Sequence, residues 1–274
     1  MKRKISLFEV FYITTLKILG FINSHIVELK ISNHRNLIIC YHSIESKEDW
    51  RFETSIINFK EQVKRLNKKF KIVPLSELIN DSNVSNRPRA SITFDDGYEN
   101  VYLNALPILS KLGLTGTMFI IGDSKMAVRS ELGNKKKLLS TFQINNLVEN
   151  GWEIGFHSLT HSNFSKLTNK QLRYEVYLGK NKTEKKLGIK LKYFSFPRGF
   201  YNTQIIKSVS DSGFAKGFTV EGSESSSKID FLVPRVSIEG RLSDDDFGAL
   251  ISDLGSIFHN FAMKLINIKS SIFK

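Results

Sequence analysis

The sequence predicts an α/β fold in which about seven strand–helix units form a closed or nearly closed parallel barrel, with a helical extension at each end. Short apolar runs alternate with longer amphipathic segments from residue 36 onward. The chain has 274 residues, of which 41% are hydrophobic, and this length and composition suit one large globular domain. Polar and charged residues follow several of the apolar runs, as they do at the rim of a parallel sheet.

The predicted main domain covers residues 36–243 and contains the alternating elements. Its apolar runs predict strands at 37–41, 91–94, 117–121, 152–156, 193–196, 215–220 and 233–238. Apolar residues at helical spacing predict helices at 59–70, 101–112, 140–150 and 169–187, and Ser140 is a suitable cap for the third of these.

The N-terminal extension, residues 1–35, is apolar and basic. Residues 5–22 are mostly apolar, but Glu9 and Lys17 interrupt the run, and burying either charge in hydrocarbon would be costly. No small-residue cleavage site follows. We therefore expect a helix that lies on its own domain or on a membrane surface, rather than a signal peptide or a membrane span.

The C-terminal extension, residues 244–274, is predicted to be one amphipathic helix. Apolar residues recur at steps of three and four from Phe247 to Leu265, which places them on one helical stripe. Lys264, Lys269 and Lys274 flank or follow that stripe. Both a helix packed on the barrel and an interfacial membrane helix fit this pattern.

The composition restricts the partners and the chemistry. Forty Lys and Arg against 27 Asp and Glu give a formal net charge of +13, which favours an anionic partner such as a membrane surface, an acidic glycan or nucleic acid. The basic residues are scattered over helix faces, as in 180–192, without a nucleic-acid recognition motif, so no specific nucleic acid is expected. The single cysteine, Cys40, excludes an internal disulfide and a cysteine-based zinc cluster.

Two pairs of polar residues follow predicted strands. Asp95 and Asp96 end the strand 91–94, where one carboxylate can bind a metal while the other faces a substrate; the alternative is a plain Asp-Asp-Gly turn. His157 and His161 follow the strand 152–156, and their spacing places both imidazoles on one side of a helical turn. Asp96, His157 and His161 together offer three ligands, which leaves room for water at a catalytic zinc.

Two further strand ends carry weaker signals. Pro197 and Gly199 shape a loop after the strand 193–196, and Pro197 and Arg198 are the candidate substrate-binding residues. The backbone N–H of Arg198 could face a developing oxyanion, although an ordinary turn is the better interpretation of this segment taken alone. His42 follows the first strand. A lone histidine there is usually structural.

These segments together resemble the polysaccharide deacetylase family, whose fold unit is the NodB homology domain. The Thr-Phe-Asp-Asp-Gly block at 93–97 and the His-Ser-x-x-His block at 157–161 match its first two motifs, and Phe-Pro-Arg-Gly at 196–199 resembles its third. The resemblance extends over about residues 37–238. It implies an irregular (β/α)7 barrel in which Asp95 is the catalytic base and Asp96, His157 and His161 bind the metal.

The chain departs from the common family pattern at two places. Ser195 stands where an arginine that orients the catalytic aspartate is usual, and we suggest that Arg235 substitutes from a neighbouring strand. The C-terminal Leu-x-His motif that supplies the general acid is absent from the sequence. Tyr41-His42 resembles the early Tyr-His block of relatives that deacetylate poly-N-acetylglucosamine, which implies that His42 is the acid.

The resemblance implies a metal-dependent hydrolase that removes N-acetyl groups from an amino sugar, in a polysaccharide or its lipid-linked precursor, during surface-polysaccharide metabolism. Histidine ligands favour Zn²⁺, with Co²⁺, Ni²⁺ or Mn²⁺ as alternatives. A catalytically impaired glycan-binding protein and another metallohydrolase, such as a phosphoesterase, are the competing interpretations. The expected location is cytoplasmic, at the inner face of a membrane; export or anchoring through residues 1–25 is the alternative. The sequence leaves the oligomeric state open.

Overall fold

A parallel barrel forms the centre of the protein, as predicted. The computed structural model describes residues 7–47, 50–80, 86–127, 136–220, 230–259 and 261–262. The described strands are β1 (Asn36–Tyr41), β2 (Ser43–Glu45), β3 (Glu53–Ser55), β4 (Lys71–Ile72), β5 (Arg89–Phe94), β6 (Thr117–Ile120), β7 (Glu153–Phe156), β8 (Tyr193–Ser195), β9 (Lys216–Thr219), β10 (Leu232–Pro234) and β11 (Val236–Ser237). In the main sheet they run in the order β10-β9-β8-β7-β6-β5-β1-β11, and each neighbouring pair is parallel.

One short chain segment closes the barrel. β10 pairs with β9 at one edge of the sheet, and β11 pairs with β1 at the other edge. Only Arg235 lies between these two strands, so the segment predicted as a single strand at 233–238 connects both edges. Pro234 has no N–H to donate, whereas the N–H of Arg235 donates to Thr219 O at 3.1 Å. If β10 and β11 are counted as one interrupted strand, the main sheet has the seven strands of the predicted (β/α)7 barrel.

Helices surround the barrel, and side-chain caps begin several of them. Ser140 and Gln143 form a capping box at the helix Thr141–Glu149, and Asn202 caps the helix Thr203–Asp211. The predicted helix 169–187 is continuous in space, but Tyr174–Leu178 is a π-helix, as is Val101–Ala105. The described α-helices are α1 (Leu7–His25), α2 (Ile56–Lys69), α3 (Leu75–Asn80), α4 (Leu106–Ser110), α5 (Thr141–Glu149), α6 (Asn169–Arg173), α7 (Gly179–Leu187), α8 (Thr203–Asp211) and α9 (Asp244–Leu250).

The C-terminal region is not one continuous helix, so that prediction is wrong. α9 ends at Leu250, and residues 253–259 form a separate helix. Ser252 makes the break, because its hydroxyl donates to Ala249 O at 2.6 Å and accepts the Gly255 N–H at 3.1 Å. Leu265, the end of the predicted stripe, lies outside the described residues.

The N-terminal helix α1 packs against α9 and the helix that follows it. Tyr12 and Leu16 are buried, and the Tyr12 hydroxyl lies 2.6 Å from His259 Nδ1. A Cβ at Gly20 would lie 2.9 Å from a carboxylate oxygen of Asp246, so the two helices approach closely at this glycine. Among the described helices, none combines the length and apolarity needed to cross a membrane.

The barrel interior is a column of apolar side chains that ends in polar groups at the mouth. Ile38, Phe119 and Phe218 belong to the inner cluster, which is separate from the larger outer core beneath the helices. The Arg235 guanidinium lies 5.0 Å from the centre of the Phe119 ring. The fully buried Arg235 guanidinium therefore lies between the inner apolar cluster and the carboxyl ends of the strands.

Candidate active site

The polar residues singled out in the sequence meet at one end of the barrel. Asp95 follows β5, His157 follows β7 and Ser195 ends β8, and these strands are parallel, so their carboxyl ends share one rim. The left-handed backbone of Asp96, at φ 71°, and of Gly97 turns the chain sharply after β5. The adjacent carboxylates of Asp95 and Asp96 consequently point to two different groups of side chains, which are described in turn below.

The first cluster has the donor set of a metal site. Asp96 Oδ1 lies 3.3 Å from His157 Nε2 and 3.4 Å from His161 Nε2, and all three side chains are buried. Asp96 Oδ1 has no hydrogen-bond partner among the described residues, and an unsatisfied buried carboxylate oxygen is costly unless a cation or a proton meets it. A single divalent ion among these three atoms would satisfy them together. The residues present therefore fit the metal that the sequence predicts.

Neighbouring groups orient the two imidazoles. His157 Nδ1 lies 2.9 Å from the carbonyl oxygen of Ser195, a contact that calls for a proton on Nδ1 and leaves the Nε2 lone pair facing Asp96. Burial opposes a charge on His157, but the Asp95 and Asp96 carboxylates outweigh burial and raise its pKa. At His161 burial dominates and lowers the pKa to about 4, so this imidazole is neutral at pH 7 and able to act as a ligand.

The two histidines do not lie on a helical turn, so that part of the prediction is wrong. Residues 157–163 form an irregular loop in which Ser158 and His161 have positive φ values of 67° and 62°. The buried Glu175 holds this loop: its carboxylate accepts the Thr160 N–H at 2.9 Å and the Thr160 hydroxyl at 2.6 Å. Its carbonyl oxygen accepts the Leu159 N–H at 3.1 Å. The π-helix that carries Glu175 is thus a support of the candidate metal site, which the sequence analysis missed.

The second cluster is built around Asp95. Arg235 binds this carboxylate through two parallel contacts, Nη1 to Oδ1 at 2.8 Å and Nη2 to Oδ2 at 2.7 Å. The Ser195 hydroxyl donates to Oδ2 at 2.9 Å and accepts from Arg235 Nη2 at 2.7 Å. Burial opposes the charge of Asp95, but Arg235 outweighs it and holds the pKa of Asp95 well below its usual range. Arg235 thus pairs with Asp95 as we suggested, although it comes from the closing segment between β10 and β11, which is separated from β8 by β9 and not adjacent to it.

His42 lies beside Asp95 and belongs to the same mouth. One ring nitrogen of His42, Cys40 Sγ and a carboxylate oxygen of Asp95 lie within 4.8 Å of one another. The His42 ring stacks on Phe52 at 4.7 Å and meets the edge of Trp50 at 6.2 Å. Burial lowers the pKa of His42, against the opposing effect of the nearby carboxylates. The sequence analysis missed the contact of Cys40 with this cluster, although the strand alternation from His42 to Cys40 could have indicated it.

The loop 197–199 borders the site directly after β8. Pro197 is buried, whereas the Arg198 side chain is exposed and its backbone has a positive φ of 61°. The role of the Arg198 N–H toward an oxyanion stays a prediction.

Comparison with known proteins gives one consistent result. The family model described as polysaccharide deacetylase matches residues 82–217. A putative polysaccharide deacetylase, YxkH of Bacillus subtilis, is 30% identical over 164 residues, which cover 60% of this chain and 56% of that protein. The poly-beta-1,6-N-acetyl-D-glucosamine N-deacetylase of Staphylococcus aureus is 30% identical over 234 residues, 80% of this chain and 78% of that protein.

Solved structures show the same fold at lower identity. IcaB from Ammonifex degensii has a TM-score of 0.66 and 21% identity, over 81% of this chain and 97% of that one. The Streptococcus pyogenes deacetylase PplD, solved in complex with acetate, has a TM-score of 0.66 and 19% identity, over 78% of this chain and 97% of that one. The barrel described above is thus the fold of these deacetylases.

Proposed function

We propose that this chain, which belongs to the polysaccharide deacetylase family, hydrolyses the N-acetyl groups of an amino sugar in a polysaccharide or its lipid-linked precursor. The observation that carries the proposal is the pairing of two clusters at one barrel mouth. Asp96, with its unpartnered oxygen, faces two imidazole nitrogens, and the adjacent Asp95 is held by Arg235. Metal-assisted hydrolysis requires a three-ligand metal site with an open position and a nearby carboxylate that can accept a proton, and this barrel mouth has the residues for both.

Asp96, His157 and His161 would hold one divalent ion, most favourably Zn²⁺, because two of the three ligands are imidazoles. A divalent ion bound there supplies Lewis acidity, which makes an acetamide carbonyl more electrophilic and water more acidic. Ser195 and Glu175 keep the two histidine ligands in place: the Ser195 carbonyl contacts His157, and the Glu175 carboxylate holds the loop at Thr160.

Asp95 is the proposed base. Its lowered pKa keeps it ionised at neutral pH, and Arg235 and Ser195 leave it little rotational freedom. As the water oxygen bonds to the acetyl carbon, Asp95 takes the water proton. The protonated form of His42, which is the minor form at neutral pH because burial lowers the pKa of this imidazole, gives a proton to the sugar nitrogen as the C–N bond breaks. The products are acetate and a free amino sugar.

The direct test is acetate release from a panel of N-acetylated glycans, including poly-β-1,6-N-acetylglucosamine, with and without a chelator. We expect acetate release that the chelator abolishes and added Zn²⁺ restores. Phosphate release from phosphoesters without acetate release would favour another metallohydrolase. Glycan binding without any hydrolysis would favour an impaired family member.

A matched pair of variants tests the metal site. His161→Ala removes one ligand, so metal content and activity should fall together. His34→Ala is the control, because His34 is exposed and lies outside both clusters. Unchanged metal content in His161→Ala would contradict the assignment.

We also propose that the protein contacts an anionic membrane surface through its terminal helices. Phe11 is 55% exposed on α1 and its ring meets Phe258 at 6.2 Å, so the exposed faces of the two terminal helices adjoin. Ile257 and Phe261 extend this apolar face at 64% and 60% exposure. The sequence adds Lys2, Arg3 and Lys4 before α1, and each cation near an anionic surface contributes up to about 1 kcal/mol.

Vesicle sedimentation tests this contact. The protein should sediment with phosphatidylglycerol vesicles more than with phosphatidylcholine vesicles, and Phe11→Ser should reduce sedimentation. Phe142→Ser is the control, because Phe142 is 74% exposed on α5. Equal loss in both variants, or no sedimentation at low salt, would refute the proposed surface. The expectation that this surface is the cytoplasmic face stays a prediction, which protease protection of intact cells can check.

A further inference from the structure

We propose that Cys40, His42 and Asp95 form a second cation site, which binds a thiophilic divalent ion such as Cd²⁺ or excess Zn²⁺ and thereby inhibits the enzyme. Their three ligand atoms, a thiol sulfur, an imidazole nitrogen and a carboxylate oxygen, all lie within 4.8 Å of one another. None of the three residues is a ligand of the site formed by Asp96, His157 and His161. The two sets are therefore separate, although Asp95 and Asp96 are adjacent in the chain.

The barrel geometry brings these residues together. Cys40 and His42 are two positions apart along β1 and its end, so alternation directs both to the interior. β5 pairs with β1 in a register that matches Cys40 with Thr93, and the Asp95 N–H donates to Tyr41 O at 3.0 Å. Asp95 therefore sits beside both residues as part of the sheet, not through a flexible loop.

The cluster has one ligand atom without a hydrogen-bond partner among the described residues, and one residue that is partly exposed. His42 Nδ1 is buried and has no hydrogen-bond partner among the described residues. Cys40 is fully buried, but His42 is partly exposed, so an ion can approach from the His42 side. Arg235 contributes one contact to Asp95 Oδ1 and Ser195 adds none there, which leaves lone-pair capacity on that oxygen.

The ligand types determine which ions bind. A sulfur ligand selects soft and borderline ions such as Cd²⁺ and Zn²⁺ over Mg²⁺ or Ca²⁺, which prefer oxygen. The thiol must give up its proton to solvent when the ion binds, so that a thiolate and a carboxylate face the ion. These two negative charges offset the positive charge of Arg235, which already pairs with Asp95.

The inhibitory consequence rests on the proposed function, whereas the binding does not. An ion held by His42 and Asp95 occupies the groups proposed as acid and base, so neither is available for proton transfer. Inhibition would then arise without loss of the ion at the first site.

Ultraviolet absorption provides the test, because Cys40 is the only cysteine in the sequence. A cadmium–thiolate charge-transfer band can then come from Cys40 alone. We expect the band to grow as Cd²⁺ is added to the metal-free protein beyond the first bound ion. Cys40→Ser should lose the band and one bound ion per chain, and His161→Ala should keep the band. His42→Gln, which retains the thiol, should show a band only at higher Cd²⁺, and this variant replaces Cys40→Ser if that protein does not fold.

Two results would overturn the binding proposal: no band in the wild type at Cd²⁺ well above saturation of the first site, or loss of the band in His161→Ala. The inhibitory part is tested separately, by the ratio of acetate release with and without Cd²⁺ in the wild type and in Cys40→Ser. Cys40→Ser should lose the inhibition. A full absorption band without inhibition would refute the inhibitory effect but not the binding of the ion. If neither the wild type nor any variant releases acetate, the proposed function is refuted, and the absorption band still tests the second cation site.

Discussion

Replacement of Arg235 by methionine tests how the active-site carboxylate is held. In the wild type, two guanidinium nitrogens bind the two oxygens of Asp95 at 2.8 and 2.7 Å, and both side chains are buried. Methionine fills a similar volume but carries neither the charge nor the donors. Asp95 would then remain in the barrel with the Ser195 hydroxyl as its main donor.

The expected cost follows from burial. Breaking a buried ion pair by removing one partner typically costs about 3–5 kcal/mol, because the remaining charge is left uncompensated. Asp95 is 2% exposed, so water cannot replace the lost contacts, and we expect a loss of unfolding free energy in this range at pH 7. Activity should fall by about 10²–10⁴, the contribution of a well-placed general base. The acid limb of the activity profile should also move to higher pH, because burial without Arg235 raises the pKa of Asp95.

Urea unfolding of four proteins measures the stability effect: the wild type, Arg235→Met, Asp95→Asn and the double variant. The double variant has no buried charge at this place, so it should recover much of the stability that Arg235→Met loses. Arg235→Lys should retain the charge but lose the two-point contact, with intermediate activity. The reasoning fails if Arg235→Met is as stable as the wild type, or if adding Asp95→Asn lowers stability further.

Three other predictions follow from single residues. Asp95→Asn should retain bound metal while kcat falls by about 10²–10⁴, and near wild-type turnover would reject its role as base. Glu175→Gln should weaken metal binding by about 10–100-fold through the loop at Thr160, whereas the exposed Glu149→Gln should not; equal affinities would refute the support role. Burial lowers the pKa of His259 from 6.5 to about 4, so the wild type should lose up to about 3 kcal/mol of stability as the pH falls from 6.5 to 4. His259→Gln should lose that part of the pH dependence, and an unchanged slope in urea titrations would contradict it.

The sequence allowed the barrel and the strand-end residues to be predicted because both are determined locally. Each strand is an apolar run, and each site residue follows one directly, so the common rim of a parallel sheet is enough to bring Asp95, Asp96 and His157 together. The capping box at Ser140 is likewise a pattern of near neighbours. Such features depend on propensity and spacing, which a single sequence contains.

The features that could not be predicted depend on backbone turns and on distant partners. The His157–His161 spacing fits a helical turn, but positive φ values at Ser158 and His161, with Glu175 as anchor, give a loop instead. Likewise, apolar periodicity continues through Ser252, so periodicity alone did not show that this hydroxyl ends one helix and caps the next. In both cases side-chain hydrogen bonds to the backbone stabilise one of two conformations that the apolar pattern permits equally.

Arg235 shows how the barrel topology compensates for a departure from the family pattern. Ser195, at the end of β8, stands where an arginine was expected, and its uncharged hydroxyl donates a hydrogen bond to Asp95 but cannot form an ion pair with it. The closing segment between β10 and β11 is a single residue, Arg235, whose side chain is fully buried. A residue there, separated from β5 only by β1 in the sheet order, reaches the end of β5, as the 2.7 Å contact to Asp95 shows. Ser195 donates to Asp95 and accepts from Arg235. The charge can therefore come from a different strand end, because the carboxyl ends of the parallel strands share one rim and their side chains meet there.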